Sequence, residues 1–484
     1  MRMTWTGWKC SSLIIRLMGK FMLLSIALVS AALNAQTSFR SGQFTYTVTS
    51  PRTVEVSVAD DKDASGTPVH DYVIPATVRY EGATYRVTSL GEDLFYQKDP
   101  RTVSIPESVD SIKTGAFLCA DNLNSIALPS GLKYIGGASF SSSGLKSIVI
   151  PSSVVEIGEN AFFSCKSLSS VQLGKGLKKI GSAVFFGCAL SSVELPEGID
   201  SIPEALFHCC AALRSVKMGS GVAYIGDLAF RECPLLTSID IPSGVTHIGN
   251  DAFLGCTSLT SLRLPASLET LGTCFAACSG ITKLTVEKGN SHFVTDGGAV
   301  YDAGRRVLYA VPSKGLQSIT VPSGCLRICR GAFWGSDIKS VTLPEGIQKI
   351  DDKAFLGSAL ENINLPASII YIGERAFAHT RLTEVTLPEQ IERLSDAAFA
   401  ECAGLVSVTM PQGLKYICHR AFLGCPALKM MNCPSATPPE FESVESDQLK
   451  PFTLVAGATL RVPKNCSASY RDAGYAEFFN ITEM

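Results

Sequence analysis

A phenylalanine recurs at a fixed step along most of this chain, and that step leaves few folds open. It stands at Phe95, Phe117, Phe140, Phe162, Phe185, Phe207, Phe230, Phe253 and Phe275, and again at Phe333, Phe355, Phe377, Phe399 and Phe422, usually after Ala. Steps are 22 or 23 residues, except for one of 58 between Phe275 and Phe333. A period in the twenties marks a solenoid, in which each unit buries its apolar face only against its neighbours.

The unit is clearest at Leu145–Cys165, LKSIVIPSSVVEIGENAFFSC. Its general form is L-x-S-[IV]-x-[IL]-P-x-x-[VIL]-x-x-I-G-x-x-A-F-x-x-C. In L-x-x-L-x-L the leucine-type residues point inward, and the third and fifth residues point outward from a short strand. Stacked units should pair these strands into one parallel sheet. Pro151 and its equivalents end the strand, because proline has no N–H for the ladder. Gly158 is expected to permit a tight bend. The Ala-Phe element is expected to form a short helical or 3-10 turn, with Phe filling the centre. Removing such a ring should cost about 3–5 kcal/mol. The fold class is therefore a leucine-rich-repeat solenoid, a right-handed superhelix of the α/β class but rich in β.

The ends and the middle depart from the rhythm. Residues 36–86 alternate apolar and polar residues (Phe44, Tyr46, Val48, then Val54, Val56, Val58), which predicts a β-rich N-terminal cap. Repeats are expected over 87–433, with one atypical unit at about 281–315. There GAVYD and RVLYAV flank a short Ala-Gly turn and predict a β-hairpin. Residues 434–484 should form a small C-terminal cap, with a strand in ATLRVP and a short helix in SASYRDAGYAEFFN despite Gly474.

Residues 1–35 read as a secretory signal peptide. Lys9, Arg16 and Lys20 precede or flank the apolar run Phe21–Leu33, thirteen residues long, and a small-residue cleavage site follows at Ala35. The remainder holds no second apolar span, so no integral membrane span is expected after cleavage. The chain of 484 residues balances 42 Lys and Arg against 44 Asp and Glu, without a basic block. That argues against nucleic acid as a partner.

Of the seventeen cysteines, eight lie three residues after the landmark Phe: Cys165, Cys188, Cys210, Cys233, Cys256, Cys278, Cys402 and Cys425. Ser143, Ser336, Ser358 and Thr380 take the same slot elsewhere. A slot that accepts Cys, Ser or Thr asks for a small side chain and not for a bond. Stacked rungs about 4.8 Å apart do lie within disulfide range, but the period does not require a bridge.

The unit LKSIVIPSSVVEIGENAFFSC closely resembles the BspA-like, or Treponema-type, leucine-rich repeat of bacterial secreted and surface proteins. The lead-in YVIPATVRYEGATYRVTSLG, the hairpin GGAVYDAGRRVLYAVP and the ending LRVPKNCSASYRDAGYAEFFNI resemble modules of the same family. The resemblance implies a non-enzymatic secreted or cell-surface protein that adheres to host matrix or bacterial surface proteins. The alternative it leaves is a structural or accessory glycan-binding protein of the cell envelope. It supplies no catalytic residue and no cofactor. The chain departs from the plain pattern at Gly174 and Gly219, in place of Pro, and at Cys329 and Cys418, in place of Gly.

Outward positions that vary between copies are where recognition can reside. The fifth-position column includes Gln172, Glu194, Lys217, Asp240, Arg263, Thr285, Thr320 and Thr342, and it forms the candidate partner-binding face. Its signs alternate from Glu194 to Arg263. It has no aromatic ring, which weighs against a carbohydrate platform; Tyr134, Tyr224, Tyr371 and Tyr416 fall on another face. The six histidines (His70, His208, His247, His292, His379 and His419) do not share a repeat phase. The run His208-Cys209-Cys210 hints at a metal, but Cys210 is the ordinary core slot, and no paired C-x-x-C spacing accompanies it, so no metal site is expected.

Overall fold

A computed structural model describes residues 37–484, apart from 61, 63–65, 67, 443–450 and 453–456. The expected signal segment and its cleavage point therefore lie outside the described residues. The chain forms a β-solenoid of about 17 turns with almost no helix.

Each coil has three sides. The first carries the outward strand, as in Ser147–Val149, which pairs in parallel with Ser170–Gln172 one coil later. The second carries a two-residue strand at the V-x-x-I segment, so that Tyr134–Ile135, Glu156–Ile157 and Lys179–Ile180 stack in register. The third is the Ala-Phe side, and here the expected helical or 3-10 turn is only half formed: Phe163 and Cys165 donate back to Asn160 and Phe162, three residues earlier, at 2.9 and 3.2 Å. Asn160 and Ser164 are left-handed (φ 58° and 56°), two residues to either side of Phe162. Asn160, Phe162 and Ser164 donate their N–H groups to Ser182, Val184 and Phe186 of the next coil at 2.7–3.0 Å. Alternate amides thus form a third ladder between coils. A helix would turn those amides back on their own segment.

The landmark Phe rings stack face to face along the axis. Phe140, Phe162 and Phe185 are fully buried, with centroids 5.3 and 5.8 Å apart. Tyr72 meets Phe95 edge-on at one end, and Phe452 continues the stack beyond Phe422 at the other. Burying a Phe contributes roughly 1.5–3 kcal/mol, so this column is a main source of stability.

The glycine after the second strand has a different reason from the one expected. Gly158 does not have a positive φ; a Cβ there would lie 2.6 Å from the Gly137 nitrogen of the preceding coil. The slot is small because coil backbones approach closely, and not because the chain bends. Gly174, in place of Pro, meets a similar limit, since its Cβ would lie 2.2 Å from the Pro151 oxygen. The limit is not uniform, for Pro203, Cys329, Asp351, Ser395 and Cys418 take the Gly158 slot in other coils.

Every cysteine among the described residues is a thiol, and those in the core slot share one role. Cys188, Cys210, Cys233 and Cys256 each donate to the carbonyl of the landmark Phe in the preceding coil, at 3.0–3.1 Å. The slot therefore accommodates a donor without requiring one, since Ala120 takes it after Phe117 and the Ser336 and Ser358 hydroxyls have no partner among the described residues. Burial pushes the Cys210 and Cys256 thiols up to about 12.

At the ends, the ladders run past the repeats. Thr53–Ala59 pairs in parallel with Ala83–Leu90, which pairs in turn with Ser111–Ile112, while Ser38–Ser41 and Phe44–Ser50 add antiparallel strands outside. Asp71–Val73 already forms a rung of the first side, paired with Thr102–Ser104. Beyond Cys433, Glu440–Glu442 pairs with Tyr416–Cys418, although its segment reads as irregular in sequence. Thr459–Val462 and Asn480–Glu483 extend the first side. A helix covers Ser467–Asp472, and left-handed Gly474 (φ 87°) separates it from a 3-10 turn at Tyr475–Glu477.

The insertion is a three-stranded meander rather than a single hairpin. Phe293–Asp296 and Ala299–Asp302 are antiparallel across Gly297-Gly298, both at positive φ, and Ala299–Asp302 then pairs with Val307–Ala310. Val307 and Leu308 pair in parallel with Arg327 and Ile328. The insert thus stands in the second side of the solenoid where a coil would be.

Candidate binding face

The outward face follows from the alternation of each first-side strand. In Ser192–Glu194, Val193 is buried while Ser192 and Glu194 are exposed, and the pattern repeats in Ser215–Lys217. Gln172, Glu194, Lys217, Asp240, Arg263, Thr320 and Thr342 are all exposed. Thr285 is half-buried, with its hydroxyl donating to the Leu262 carbonyl at 3.5 Å. The coil stack thus places the fifth-position residues in one column.

The alternating charges pair within the chain. Lys217 Nζ donates to Glu194 Oε1 at 2.6 Å, and Arg263 lies 2.5 Å from Glu287 Oε1. Lys217 holds the Glu194 carboxyl below its ordinary range, and Glu194 raises Lys217 in return. Both members are well exposed, so water screens the pair and it adds little to stability. It does fix where the charges stand.

A groove of about 460 Å³ opens on this face, lined by Ser192, Glu194, Ser215, Lys217, Met218 and Asp240 among others. Ser192–Glu194 and Ser215–Lys217 are paired, whereas Ser238–Asp240 is not in the ladder. The ladder is interrupted on both sides of Asp240, inside the sign-alternating segment.

The tyrosines occupy the second side. Tyr134, Tyr224, Tyr371 and Tyr416 are all exposed there, and Tyr224 stacks on His247 of the next coil, 4.4 Å between centroids and 4° from parallel. Half-buried Phe163 and Phe186 stack on the third side at 4.5 Å, followed edge-on by His208 at 4.6 Å. These two rings were not singled out by the sequence pattern, since the residue after the landmark Phe varies freely.

The third side also gathers His208, Cys209 and Glu232, whose candidate ligand atoms all lie within 4.8 Å of one another. Cys210 does not join them, because its thiol points into the core toward Phe185. The sequence run pointed at His208 and Cys209 but not at Glu232. That residue arrives from the next coil, and its only sequence signal is its place in the same repeat slot as Cys209. Among the described residues, no helix is long and apolar enough to cross a membrane.

Comparison with known proteins gives the same architecture. A crystal structure of a leucine rich cell surface protein from Faecalibacterium prausnitzii is 22% identical and covers 87% of this chain and 100% of its own, with a TM-score of 0.59. A leucine-rich repeat protein from Bacteroides ovatus is 25% identical over 88% of this chain and 100% of its own, with a TM-score of 0.47. The pneumococcal vaccine antigen PcpA is 18% identical over 93% of this chain and 100% of its own, with a TM-score of 0.44. No curated protein matches the chain. A sequence model described as BspA type leucine rich repeat region, six copies, matches residues 88–213, 178–296 and 309–436. The chain therefore belongs to the BspA-type leucine-rich-repeat family.

Proposed function

We propose that this protein is a non-enzymatic, exported surface protein that binds another protein through the outward first-side face, in adhesion to host matrix or bacterial surface proteins. The observation that carries the reading is the contrast within each coil. Core slots keep residues of one type, small, aliphatic or Phe, while the exposed fifth position changes from Gln172 to Glu194, Lys217, Asp240 and Arg263 beside a groove. The coil stack presents those groups in one column, which lowers the ordering cost of binding. Exposed charges in such a row act chiefly on partner choice and association rate. Membership in a family of bacterial repeat proteins supports a surface location, as does the apolar run at Phe21–Leu33.

The test is binding of the secreted chain to immobilised matrix proteins and to polysaccharides. Lys217→Glu with Arg263→Glu should weaken a protein interaction and make it less salt-sensitive. Unchanged binding to a proven protein ligand sinks the face assignment. N-terminal sequencing of the exported form should begin at Gln36. A second reading, glycan binding, draws on the exposed Tyr224–His247 stack, since planar rings of this kind suit sugar faces. Retention of polysaccharide that is lost on Tyr224→Ala would favour it over the first.

A further inference from the structure

His208, Cys209 and Glu232 supply three different ligand types at one spot that the repeat scaffold does not need. The landmark slots of these two coils are filled by Phe207, Cys210, Phe230 and Cys233, all fully buried. His208 and Cys209 are half-buried and Glu232 is exposed. We infer that these three side chains bind a divalent transition-metal ion of the zinc class.

The backbone brings them together. Cys209 and Glu232 are the left-handed residues that follow Phe207 and Phe230 by two positions (φ 60° and 57°). Equal slots of adjacent coils lie side by side, held by the Cys209 N–H donating to the Arg231 carbonyl at 2.8 Å. Cys209 Sγ lies 3.4 Å from Glu232 Oε2. His208 precedes Cys209 and completes a set within 4.8 Å. Zinc holds thiolate sulfur at about 2.3 Å and imidazole nitrogen at about 2.0–2.1 Å, so its ligand atoms stand roughly 3–4 Å apart. The Cys209–Glu232 separation already has that spacing.

The surroundings suit metal binding. His208 lies edge-on against Phe186, which restricts the ring. Arg231 Nε lies 3.5 Å from Glu232 Oε1, an ion-pair contact on the carboxylate's other oxygen. Two anionic ligands outweigh that one guanidinium. Thiolate, imidazole and carboxylate together favour zinc-like ions over magnesium or calcium. Three protein ligands leave a fourth position for water. The same two slots elsewhere hold His379 and Glu401, but Ala378 and Ala400 stand where His208 and Arg231 do, so no third ligand accompanies them.

The test uses the whole secreted chain, stripped of metal by a chelator and titrated with Co²⁺ alone and then with Zn²⁺. One equivalent of Co²⁺ should bind, with a thiolate-to-metal charge-transfer band and the absorption of a tetrahedral ion, and one equivalent of Zn²⁺ should abolish both. Cys209→Ser should lose the band, and His208→Gln and Glu232→Gln should each weaken binding, with circular dichroism unchanged. Glu232→Gln keeps the shape of an exposed side chain, so it reports on ligation even if Cys209→Ser does not fold. The inference is overturned if no equivalent binds, if the band survives Cys209→Ser, or if Glu232→Gln binds Co²⁺ as tightly as the parent chain.

Discussion

Arg330 donates to both carboxylate oxygens of Asp251, 79 residues earlier, at 2.7 and 3.3 Å. This pair spans the one long break in the repeat. The insert's Val311 N–H takes the Ala332 carbonyl at 3.0 Å, which elsewhere the preceding coil's Phe N–H takes. The apolar core also divides here, with one cluster reaching Ala310 and another beginning at Ala299. A side-chain bridge therefore ties two stacks together where regular coil-on-coil packing is interrupted. Arg330→Ala leaves Asp251, which is 7% exposed, with Arg231 at 3.7 Å as its one cationic partner among the described residues. Loss of about 2–3 kcal/mol is expected, at the low end for a buried pair because Arg330 itself reaches water. Calorimetry should show one unfolding transition in the parent separating into two, since repeat arrays couple only through neighbours.

Gly158→Ala tests whether close approach, rather than bending, sets the glycine slot. The added methyl would meet the Gly137 backbone, which cannot move aside as a side chain can. Destabilisation of roughly 1–3 kcal/mol is expected from overpacking, read as a lower denaturant midpoint. Gly346→Ala gives the opposite control: it has a positive φ of 99° with open space around it, so its cost is backbone strain alone.

Cys210→Ala removes one of two donors to the Phe185 carbonyl, the thiol at 3.0 Å, and leaves the Cys188 N–H at 3.2 Å. The expected cost is about 0.5–1.5 kcal/mol. Cys210→Ser should not restore the parent stability, because the buried Ser336 and Ser358 hydroxyls of this slot have no hydrogen-bond partner. Cys210→Thr should recover more, since Thr380 donates to its own coil's Phe377 carbonyl at 2.8 Å. Urea unfolding of the three variants ranks them.

Stability should fall at both ends of the pH scale for opposite reasons. Unfolded thiols ionise near about 8.5, whereas folded Cys210 and Cys256 hold their protons to about 12. The unfolded chain therefore binds fewer protons in that window, and stability is lost as pH rises through it. His208 has a folded pKa below its ordinary value, so the unfolded ring takes up a proton first as pH falls below about 6.5, and stability declines there. His208→Gln should flatten the acid limb. Alkylation followed by mass spectrometry should label Cys119, Cys209 and Cys466 in the folded chain and the other described thiols only after denaturation.

Much of this was legible in the sequence, because a solenoid core depends on neighbours of known spacing. Leu145, Ile148, Ile150, Val154, Ile157, Ala161 and Phe162 are all buried, as the repeat pattern requires. The outward exposure of Glu194 and Lys217 follows from the same alternation. Only half of the Ala-Phe turn was legible, because local propensity says nothing of the alternate amides that bond to the next coil, and two left-handed residues per coil leave no fixed residue type behind, as Asn160, Ala183 and Leu228 attest.

The sequence by itself determined that units of 22 or 23 residues stack, which side chains fill the axis, and where the rhythm breaks. Tertiary structure alone decided how the break is bridged, by Arg330 on Asp251, and how Glu232 comes beside Cys209. The reason is physical. Periodicity fixes what each residue does within its own coil, whereas contacts between coils depend on stacking distance, register and the inserted strands, which no single unit encodes.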